Sequence, residues 1–176
     1  MPSMSSRLVQ CAVAAGMAAP SICIACWSDA ERLYGVSSHL LYAVARAESD
    51  LRPGAVNLTH RARTGTYDIG LMQINSSHLV KLASLGITES DLLEPCMNIK
   101  VGAWLLADSF ARRGVSWDAV GAYNAACTQL KGDDCAAARS RYAWRVYRRL
   151  PGEQAKSRSQ QAAPASRTPS ASPAPA

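Results

Sequence analysis

The sequence has few histidines, and this scarcity bears on metal binding. His39, His60 and His78 are the three histidines of the 176-residue chain; they lie far apart, and no Cys-x-x-Cys motif occurs among Cys26, Cys96, Cys127 and Cys135, the cysteines that follow the N-terminal apolar segment and remain if residues 1–25 are removed. Zinc sites are built from such ligands at short intervals along the chain. We therefore expect no zinc site, and nothing in the sequence implies another metal or an organic cofactor.

The N-terminal apolar segment, residues 8–19, is too short to cross a bilayer. It follows a single basic residue, Arg7, and small residues come after it, which is the order of a secretory signal peptide. We assign residues 1–25 to a signal peptide, with cleavage after Ala18 as the alternative. Cys26 also gives a weak match to a lipid-attachment site. The sequence therefore predicts export rather than membrane anchoring.

Four of the six cysteines remain once the predicted signal peptide is removed, an even number that suits an oxidising compartment. Four cysteines allow three pairings. We favour Cys26 with Cys96 and Cys127 with Cys135. The second pair would close a short polar loop, and the first would then fasten the N-terminus to a distant helix.

Acidic residues are fewer than basic ones, 13 against 19, which gives a formal net charge of +6. Five arginines crowd one segment near the C-terminus: Arg139, Arg141, Arg145, Arg148 and Arg149. Such a cluster could bind nucleic acid or anionic polymers of the cell envelope, but a solvated helix face is the more frequent explanation. No series of aromatic residues accompanies the arginines, and the signal peptide directs the chain outside. We therefore expect no nucleic-acid partner.

Residues 26–150 have the apolar content of one folded domain. After residue 150 the composition changes to proline, alanine, serine, glutamine and arginine. Such a segment cannot bury enough apolar surface to offset the entropy of ordering it. The sequence therefore predicts a single domain followed by a disordered tail over residues 151–176.

Helical spacing of apolar residues predominates within the domain. Ser28 and Glu31 have the spacing of a capping box, which predicts a short helix that begins there. The polar stretch from Arg52 to Tyr67 predicts an irregular connection or a small hairpin. Further helices are predicted over Ser37 to about Asp50, Ser76 or Ser77 to Gly86, Cys96 to Arg113, Trp117 to Ala125 with Ser116 as its cap, and about Cys135 to Leu150.

Glu48 is the one ionisable residue on the buried face of the predicted Ser37–Asp50 helix. Leu41, Val44 and Ala45 recur at the three- and four-residue steps of that face, and Glu48 continues them. A carboxylate there is costly unless it is paired, protonated or used. At this point a structural partner, such as an arginine or a backbone amide, and a chemical role remain equal alternatives.

Two other segments have unusual compositions. Gly70-Leu71-Met72-Gln73-Ile74-Asn75 has strand-like apolar content, but a glycine and two amides are odd in a core strand. Ala122-Tyr123-Asn124-Ala125 ends a predicted helix. Together with Glu48-Ser49, these segments resemble in order and spacing the three motifs of the lytic transglycosylases with a goose-lysozyme-like fold. The resemblance covers residues 26–150 and is closest to the small members associated with secretion systems.

The resemblance implies a mainly α, lysozyme-like single domain with a small irregular or β-hairpin segment. It also implies a periplasmic enzyme that cleaves the β-1,4 bond between N-acetylmuramic acid and N-acetylglucosamine in peptidoglycan, leaving a 1,6-anhydromuramyl product. Its expected partners are glycan strands and components of a secretion or pilus apparatus, for whose assembly it would open the wall locally. We expect a monomer. A hydrolytic muramidase and a peptidoglycan-binding assembly factor are the alternatives.

The same resemblance assigns roles to individual residues. Glu48 would donate a proton to the sugar oxygen and then act as base, which requires a pKa above the ordinary value of about 4.3. Ser49 would hydrogen-bond substrate or steady Glu48. Gly70 would allow close approach to the sugar, and Met72 and Gln73 would line the sugar groove.

The third motif carries the remaining assignments. Tyr123 would offer its ring to a sugar and its hydroxyl to the cleaved bond, while Asn124 would brace the loop or contact substrate. Asp68 would order the loop before Gly70. The family usually has glycine after Ala125, where this chain has Ala126; this departure bears on substrate preference.

Overall fold

The computed structural model describes residues 24–152, which form seven α-helices and a small antiparallel sheet. The predicted signal peptide and C-terminal tail lie outside this part, apart from a few residues at its two ends. The helices are α1 (Ile24–Tyr34), α2 (Ser38–Glu48), α3 (Arg61–Thr64), α4 (Leu79–Ala83), α5 (Pro95–Arg113), α6 (Trp117–Asn124) and α7 (Gly132–Tyr147). The strands are β1 (Val56–Asn57), β2 (Asp68–Ile69) and β3 (Ile74–Asn75). The expected mainly α fold with a small β segment is therefore confirmed.

The long helix α5 lies at the centre of the domain. Pro95 occupies its first turn, where a missing amide hydrogen costs nothing, and Gly114 follows its last residue with a left-handed φ of 76°. Its buried residues include Ile99 and Leu106, and α1, α2 and α6 pack against it. Burying a side chain of this size contributes about 1.5–3 kcal/mol. Among residues 24–152, no helix combines the length and apolarity needed to traverse a bilayer.

The predicted capping box at the N-terminus is wrong. α1 already begins at Ile24, so Ser28 lies inside the helix and its hydroxyl donates to the carbonyl oxygen of Ala25. The Glu31 carboxylate accepts a hydrogen bond from the backbone amide of Ser38, 3.1 Å away. Glu31 therefore caps the start of α2 rather than its own helix, at the end where a negative charge is favoured.

Other helix boundaries differ from the predictions for local reasons. α6 is capped as expected, because the Ser116 hydroxyl accepts from the amide of Ala119. Asn75, rather than Ser76 or Ser77, caps the 3-10 turn that leads into α4. α7 begins earlier than predicted, at Gly132, with two aspartates in its first turn, and ends at Tyr147.

The strand-like segment 68–75 is a hairpin rather than one strand. β2 and β3 pair antiparallel, with Ile69 opposite Ile74, and β1 adds to the other edge of β2. The four residues between the strands, 70–73, form a tight loop. A hairpin explains the composition, because its loop needs the glycine and amides that a core strand would not tolerate.

Two disulfide bonds join Cys26 to Cys96 and Cys127 to Cys135. These are the two pairs favoured from the sequence. The first fastens α1 to the start of α5, and the second closes the connection between α6 and α7. A Cys26 held in a disulfide has no thiol available for lipid attachment.

The two disulfides should differ in their effect on stability, because they close loops with sequence separations of 70 and 8 residues. In the chain-entropy model the double variant Cys26→Ala/Cys96→Ala loses about 4 kcal/mol of unfolding free energy, and Cys127→Ala/Cys135→Ala about 2.5 kcal/mol. Urea unfolding of the oxidised protein and both variants measures the difference. An equal or larger loss in the second variant would contradict this order.

Candidate active site

Glu48 is the last residue of α2, and its side chain is partly buried. Leu41, Val44 and Ala45 on the same face are fully buried in the core, as the apolar stripe predicted. The helix stops here because Asp50 and Leu51 adopt left-handed φ values of 52° and 64°. The carboxyl group therefore projects from the end of a rigid, packed helix.

Tyr142 of α7 is the direct partner of this carboxyl group. Its hydroxyl donates a hydrogen bond to Oε1 of Glu48 at 2.5 Å, and the tyrosine is only 2% exposed. The ring of Tyr123 stacks on Tyr142 with centroids 6.4 Å apart, and the guanidinium of Arg145 lies 4.8 Å from the Tyr142 centroid. Nε of Arg145 is buried without a hydrogen-bond partner among the described residues. In the sequence, Tyr142 has only the fourfold spacing, with Val146 and Leu150, of a core residue in the last predicted helix.

Burial raises the pKa of Glu48 to about 7. The hydrogen bond from Tyr142 and the charges of Arg145 and Arg149 act in the opposite direction, and the charge of Asp68 adds to the rise. Loss of hydration therefore outweighs the favourable partners, in the direction expected from the sequence. A carboxyl group with this pKa is protonated in a large fraction of molecules near neutral pH, so it can donate a proton and later take one back.

Burial also raises the pKa values of Tyr123 and Tyr142 well above their ordinary value, and the negative charge of Glu48 adds to the rise. Both hydroxyls therefore stay protonated at the pH values at which Glu48 titrates. Tyr142 consequently remains a hydrogen-bond donor whether Glu48 is neutral or ionised. The donor favours the ionised form and stabilises the carboxylate that proton transfer would leave behind.

The hairpin loop is held against α5 by Asn98. This fully buried side chain accepts from the amide of Met72 at 2.7 Å and donates to the carbonyl oxygens of Ile69 and Leu92 at 3.0 and 2.7 Å. Gly70, with a φ of 75°, packs so closely that an added Cβ would collide with Asn98 and with the Leu92 carbonyl. The glycine is thus required by internal packing. The sequence did not predict this anchoring role of Asn98.

Ser49 ties the end of α2 to the same loop. It is 3% exposed, and its hydroxyl donates to the carbonyl oxygen of Leu71 at 2.6 Å and accepts from the amide of Arg52 at 3.1 Å. Both hydrogen-bonding functions of the hydroxyl are thus engaged within the protein. Ser49 therefore fixes the position of Glu48 relative to the hairpin.

Met72 and Gln73 are placed differently from each other. Met72 is fully buried against Gly102 of α5, so its side chain packs the core instead of lining a groove, and only its carbonyl oxygen faces Tyr123. The Tyr123 hydroxyl donates to that oxygen at 2.9 Å. Gln73 is partly exposed, and its amide nitrogen donates to the carbonyl oxygens of Ala55 and Gly70.

Asp68 is bound within the sheet. Its carboxylate accepts from the side-chain amides of Asn75 at 2.8 Å and Asn57 at 3.4 Å, and Nε2 of His60 lies 3.7 Å away. These contacts agree with the expectation that Asp68 orders the loop before Gly70. In the described part of the chain, no three His, Cys, Asp or Glu side chains gather in a way that could hold a metal ion.

Backbone strain is concentrated at the three segments. Among residues 24–152, the non-glycine residues with positive φ are Asp50, Leu51, Gln73 and Cys127. Each lies in, or within three residues of, one of the segments that contain Glu48, Gly70 and Tyr123. Such conformations cost about 1 kcal/mol or more each, so the surrounding contacts must hold them.

Comparison with known proteins agrees with this geometry. The model of the transglycosylase SLT domain matches residues 25–140. The chain belongs to the SLT transglycosylase family. It is 45% identical over 131 residues to invasion protein IagB of Salmonella typhimurium, covering 72% of this chain and 78% of that protein. It is 38% identical over 125 residues to protein IpgF of Shigella flexneri, with 70% and 78% covered.

Because the chain belongs to the SLT family, it has a lysozyme-like fold and is a lytic transglycosylase. A further relative, the peptidoglycan-binding-like protein of Escherichia coli O157:H7, is 38% identical over 106 residues, with 57% of this chain and 64% of that protein covered. The family match ends at residue 140. The Glu48 partners Tyr142 and Arg145 therefore lie just beyond the matched residues.

Asn124, in the third motif, and Ala126, directly after it, complete the comparison. Asn124 is exposed at the end of α6. Ala126, which stands where the family resemblance led us to expect glycine, is also exposed, and the left-handed conformation falls on the next residue, Cys127, with a φ of 59°. Alanine is therefore compatible with the turn, because position 126 does not need a positive φ.

The raised pKa of Glu48 should make stability depend on pH. Between about pH 4.5 and 7 the folded state keeps a proton that the unfolded state releases, so the free energy of unfolding falls as pH rises through this interval. Glu48→Gln cannot ionise and should become more stable than the wild type over the same interval, by up to about 3 kcal/mol at pH 7.5. Urea unfolding at pH 4.5, 6 and 7.5 measures the difference. Glu94→Gln, at an exposed position, is the control. If the stability difference between Glu48→Gln and the wild type did not change with pH, the raised pKa of Glu48 would be contradicted.

Removing the Tyr142 hydroxyl should raise the pKa of Glu48 further. The hydrogen bond from Tyr142 favours the ionised carboxylate and so lowers the pKa of Glu48. In Tyr142→Phe this lowering is lost, while burial still raises the pKa. Following the side-chain carboxyl carbon of Glu48 by NMR over pH 4 to 9 measures the shift. Tyr42→Phe, in the same helix as Glu48, is the matched control and should leave the titration unchanged. A lower pKa in Tyr142→Phe would refute the argument.

Proposed function

We propose that this lytic transglycosylase cleaves the bond between N-acetylmuramic acid and N-acetylglucosamine without water, with Glu48 as its only catalytic carboxyl group. The observation that carries the proposal is the state of the Glu48 side chain. It is partly buried, burial raises its pKa to about 7, and the hydrogen bond from Tyr142 fixes its position. A glycosidic oxygen is a poor leaving group unless it is protonated, and an acid with this pKa still holds its proton in a large fraction of molecules near neutral pH.

The reaction has two steps. In the first, Glu48 gives its proton to the glycosidic oxygen, the bond from that oxygen to the muramyl anomeric carbon breaks, and positive charge develops on the sugar ring. In the second, the Glu48 carboxylate removes the proton from the muramyl 6-hydroxyl, whose oxygen bonds to the anomeric carbon. The product is a 1,6-anhydromuramyl end, and Glu48 is again protonated.

One carboxyl group suffices for this reaction, whereas hydrolysis with inversion or retention ordinarily uses two. The other nearby acids support the single-acid mechanism. Asp68 is engaged with Asn57 and Asn75, and Asp50 is exposed and paired with Arg46 at 3.0 Å. Neither is held in the apolar surroundings that an acid catalyst needs.

The surrounding residues have separate roles in this proposal. Tyr142 and Arg145 steady the Glu48 carboxylate between the two steps. Ser49 holds the hairpin loop in place beside it. The Tyr123 ring faces the sugar, while its hydroxyl keeps the loop closed through the carbonyl of Met72.

Of the remaining motif residues, one shapes the hairpin loop and two are available to bind the glycan. Gly70, with its close packing on Asn98, shapes the loop. Gln73 and Asn124 are partly or fully exposed, so they are available for hydrogen bonds to hydroxyl and acetamido groups of the glycan.

We further infer that the enzyme acts in the periplasm and opens the wall locally for a secretion or pilus apparatus. The two disulfides support an oxidising compartment. Similarity to a protein named for invasion and to one named as peptidoglycan-binding-like supports the cellular role and the substrate. The predicted signal peptide supplies the route of export.

Product analysis tests the mechanism. Digestion of purified peptidoglycan should release fragments that end in 1,6-anhydromuramic acid and lack the mass of one water relative to hydrolysis products, as read by mass spectrometry. Glu48→Gln should reduce release at least about 100-fold, because it keeps the shape of the side chain but cannot donate a proton.

Asp50→Asn, at the exposed acid beside the same helix end, is the control and should retain activity. Fragments with reducing ends would favour a hydrolytic muramidase instead. Unchanged wall release by Glu48→Gln, together with unchanged assembly of the apparatus, would favour a binding factor over an enzyme that uses Glu48.

A further inference from the structure

A pocket lies between α6 and α7, on the face of α7 that points away from Glu48. Its volume is about 440 Å³. We call it the tryptophan pocket; it is lined by Trp117, Asp118, Ala136, Ser140, Ala143, Trp144 and Tyr147. Its size falls within the range of sites that hold one small ligand or a few sugar rings.

The pocket exposes two large aromatic side chains. Trp117 is 44% exposed and Trp144 is 57% exposed. Each ring meets Tyr147 edge-on, with centroids 5.5 and 5.3 Å apart. Tyr147 therefore holds the two indoles in place while much of their surface stays in contact with water. Exposed, fixed aromatic surface beside polar groups is typical of a binding site.

The helical periodicity of α7 separates this pocket from the active site. Residues 136, 140, 143, 144 and 147 follow the four- and three-residue steps of one face. Tyr142 and Arg145 project from the other side of the same helix, toward Glu48. A ligand in the tryptophan pocket would therefore not contact Glu48.

The charges around the pocket favour an anionic ligand. Arg141 and Arg148 are exposed and lie three residues before and four residues after Trp144, so they flank it on the helix surface. The acidic Asp118 is already paired with Arg139 at 3.2 Å. The pocket thus combines apolar ring faces with two exposed cations and a largely neutralised carboxylate.

We propose that the tryptophan pocket binds a second peptidoglycan glycan strand, separate from the strand being cleaved. Sugar rings stack on the faces of Trp144 and Trp117, the Ser140 hydroxyl and Asp118 take hydrogen bonds from the sugars, and Arg141 and Arg148 meet carboxylates of the stem peptides. Arg141 and Arg148, two of the five arginines in the arginine-rich segment, therefore form a surface for an envelope polymer around Trp144.

Such a site changes how the enzyme meets its substrate. The wall is an insoluble network, so a strand held on the far face of α7 keeps neighbouring strands at a high effective concentration near Glu48. This function is binding and goes beyond the cleavage proposed above. It can therefore be tested in protein that cannot cleave.

The experiment measures binding of the full chain to purified peptidoglycan sacculi by sedimentation, in the Glu48→Gln background. Adding Trp144→Ala should weaken binding about tenfold, as expected for the loss of an aromatic contact with its apolar area. Adding Arg141→Gln and Arg148→Gln should weaken it and reduce its dependence on salt. Trp144→Phe keeps a ring and should restore most of the binding.

Matched controls remove similar groups elsewhere. Leu33→Ala removes an exposed apolar side chain, and Arg113→Gln removes an exposed arginine; neither should change sedimentation. With Glu48 intact, Trp144→Ala should still cleave short soluble glycan fragments at the wild-type rate, which a merely structural defect would not allow.

Wild-type binding by Trp144→Ala and by the double arginine variant would overturn the proposal, and would leave the pocket as a surface for something other than the wall. Equal losses in the two controls would overturn it too. Failure of the cleavage mechanism would instead appear as full wall digestion by Glu48→Gln, so the two failures are distinguishable.

Discussion

The hydrogen bond from Tyr142 to Glu48 is the interaction on which the site depends. It joins residues 94 positions apart and connects the end of α2 to the middle of α7. It also acts against the burial that raises the pKa of Glu48. An acid that was buried without such a partner would hold its proton too firmly to work in both directions near neutral pH. Placing one buried donor on the carboxyl group keeps the neutral and ionised forms close in free energy.

The hydrogen bond from Tyr142 is useful only if the hairpin loop beside Glu48 is equally well fixed. Asn98 and Ser49 hold that loop in place. Each is buried and hydrogen-bonds a backbone atom of the hairpin loop: Ser49 donates to the carbonyl oxygen of Leu71, and Asn98 accepts from the amide of Met72. Leaving such groups unpaired inside the domain would cost about 1–3 kcal/mol each, so the loop is confined to the arrangement that satisfies them. Gln73, in its left-handed conformation, adds hydrogen bonds of its own to the carbonyl oxygens of Gly70 and Ala55. The loop of the site is thus stabilised from the core of the domain.

The features that the sequence predicted well are those set by neighbours along the chain. The apolar stripe that ends in Glu48 and the Ser116 cap depend on residues within two helical turns, and both occur in the structure. Tyr142 could not be recognised as the partner of Glu48, because its periodicity is that of any core tyrosine. The burial of Met72 and the capping of α2 by Glu31 likewise depend on which helices pack together. Spacing alone indicates which residues share a face, but not what that face meets.

The arginines of the arginine-rich segment lie on different faces of α7 and have different effects on Glu48. Arg145 lies over the ring of Tyr142, near enough to Glu48 to lower its pKa, yet burial still prevails. More cations on that face would ionise Glu48 permanently and remove the proton that cleavage requires. Arg141 and Arg148 project into solvent on the side of Trp144, where water and salt screen their charges from Glu48. The domain can therefore have both a basic surface suited to an anionic wall and a protonated Glu48, because the two lie on opposite sides of α7.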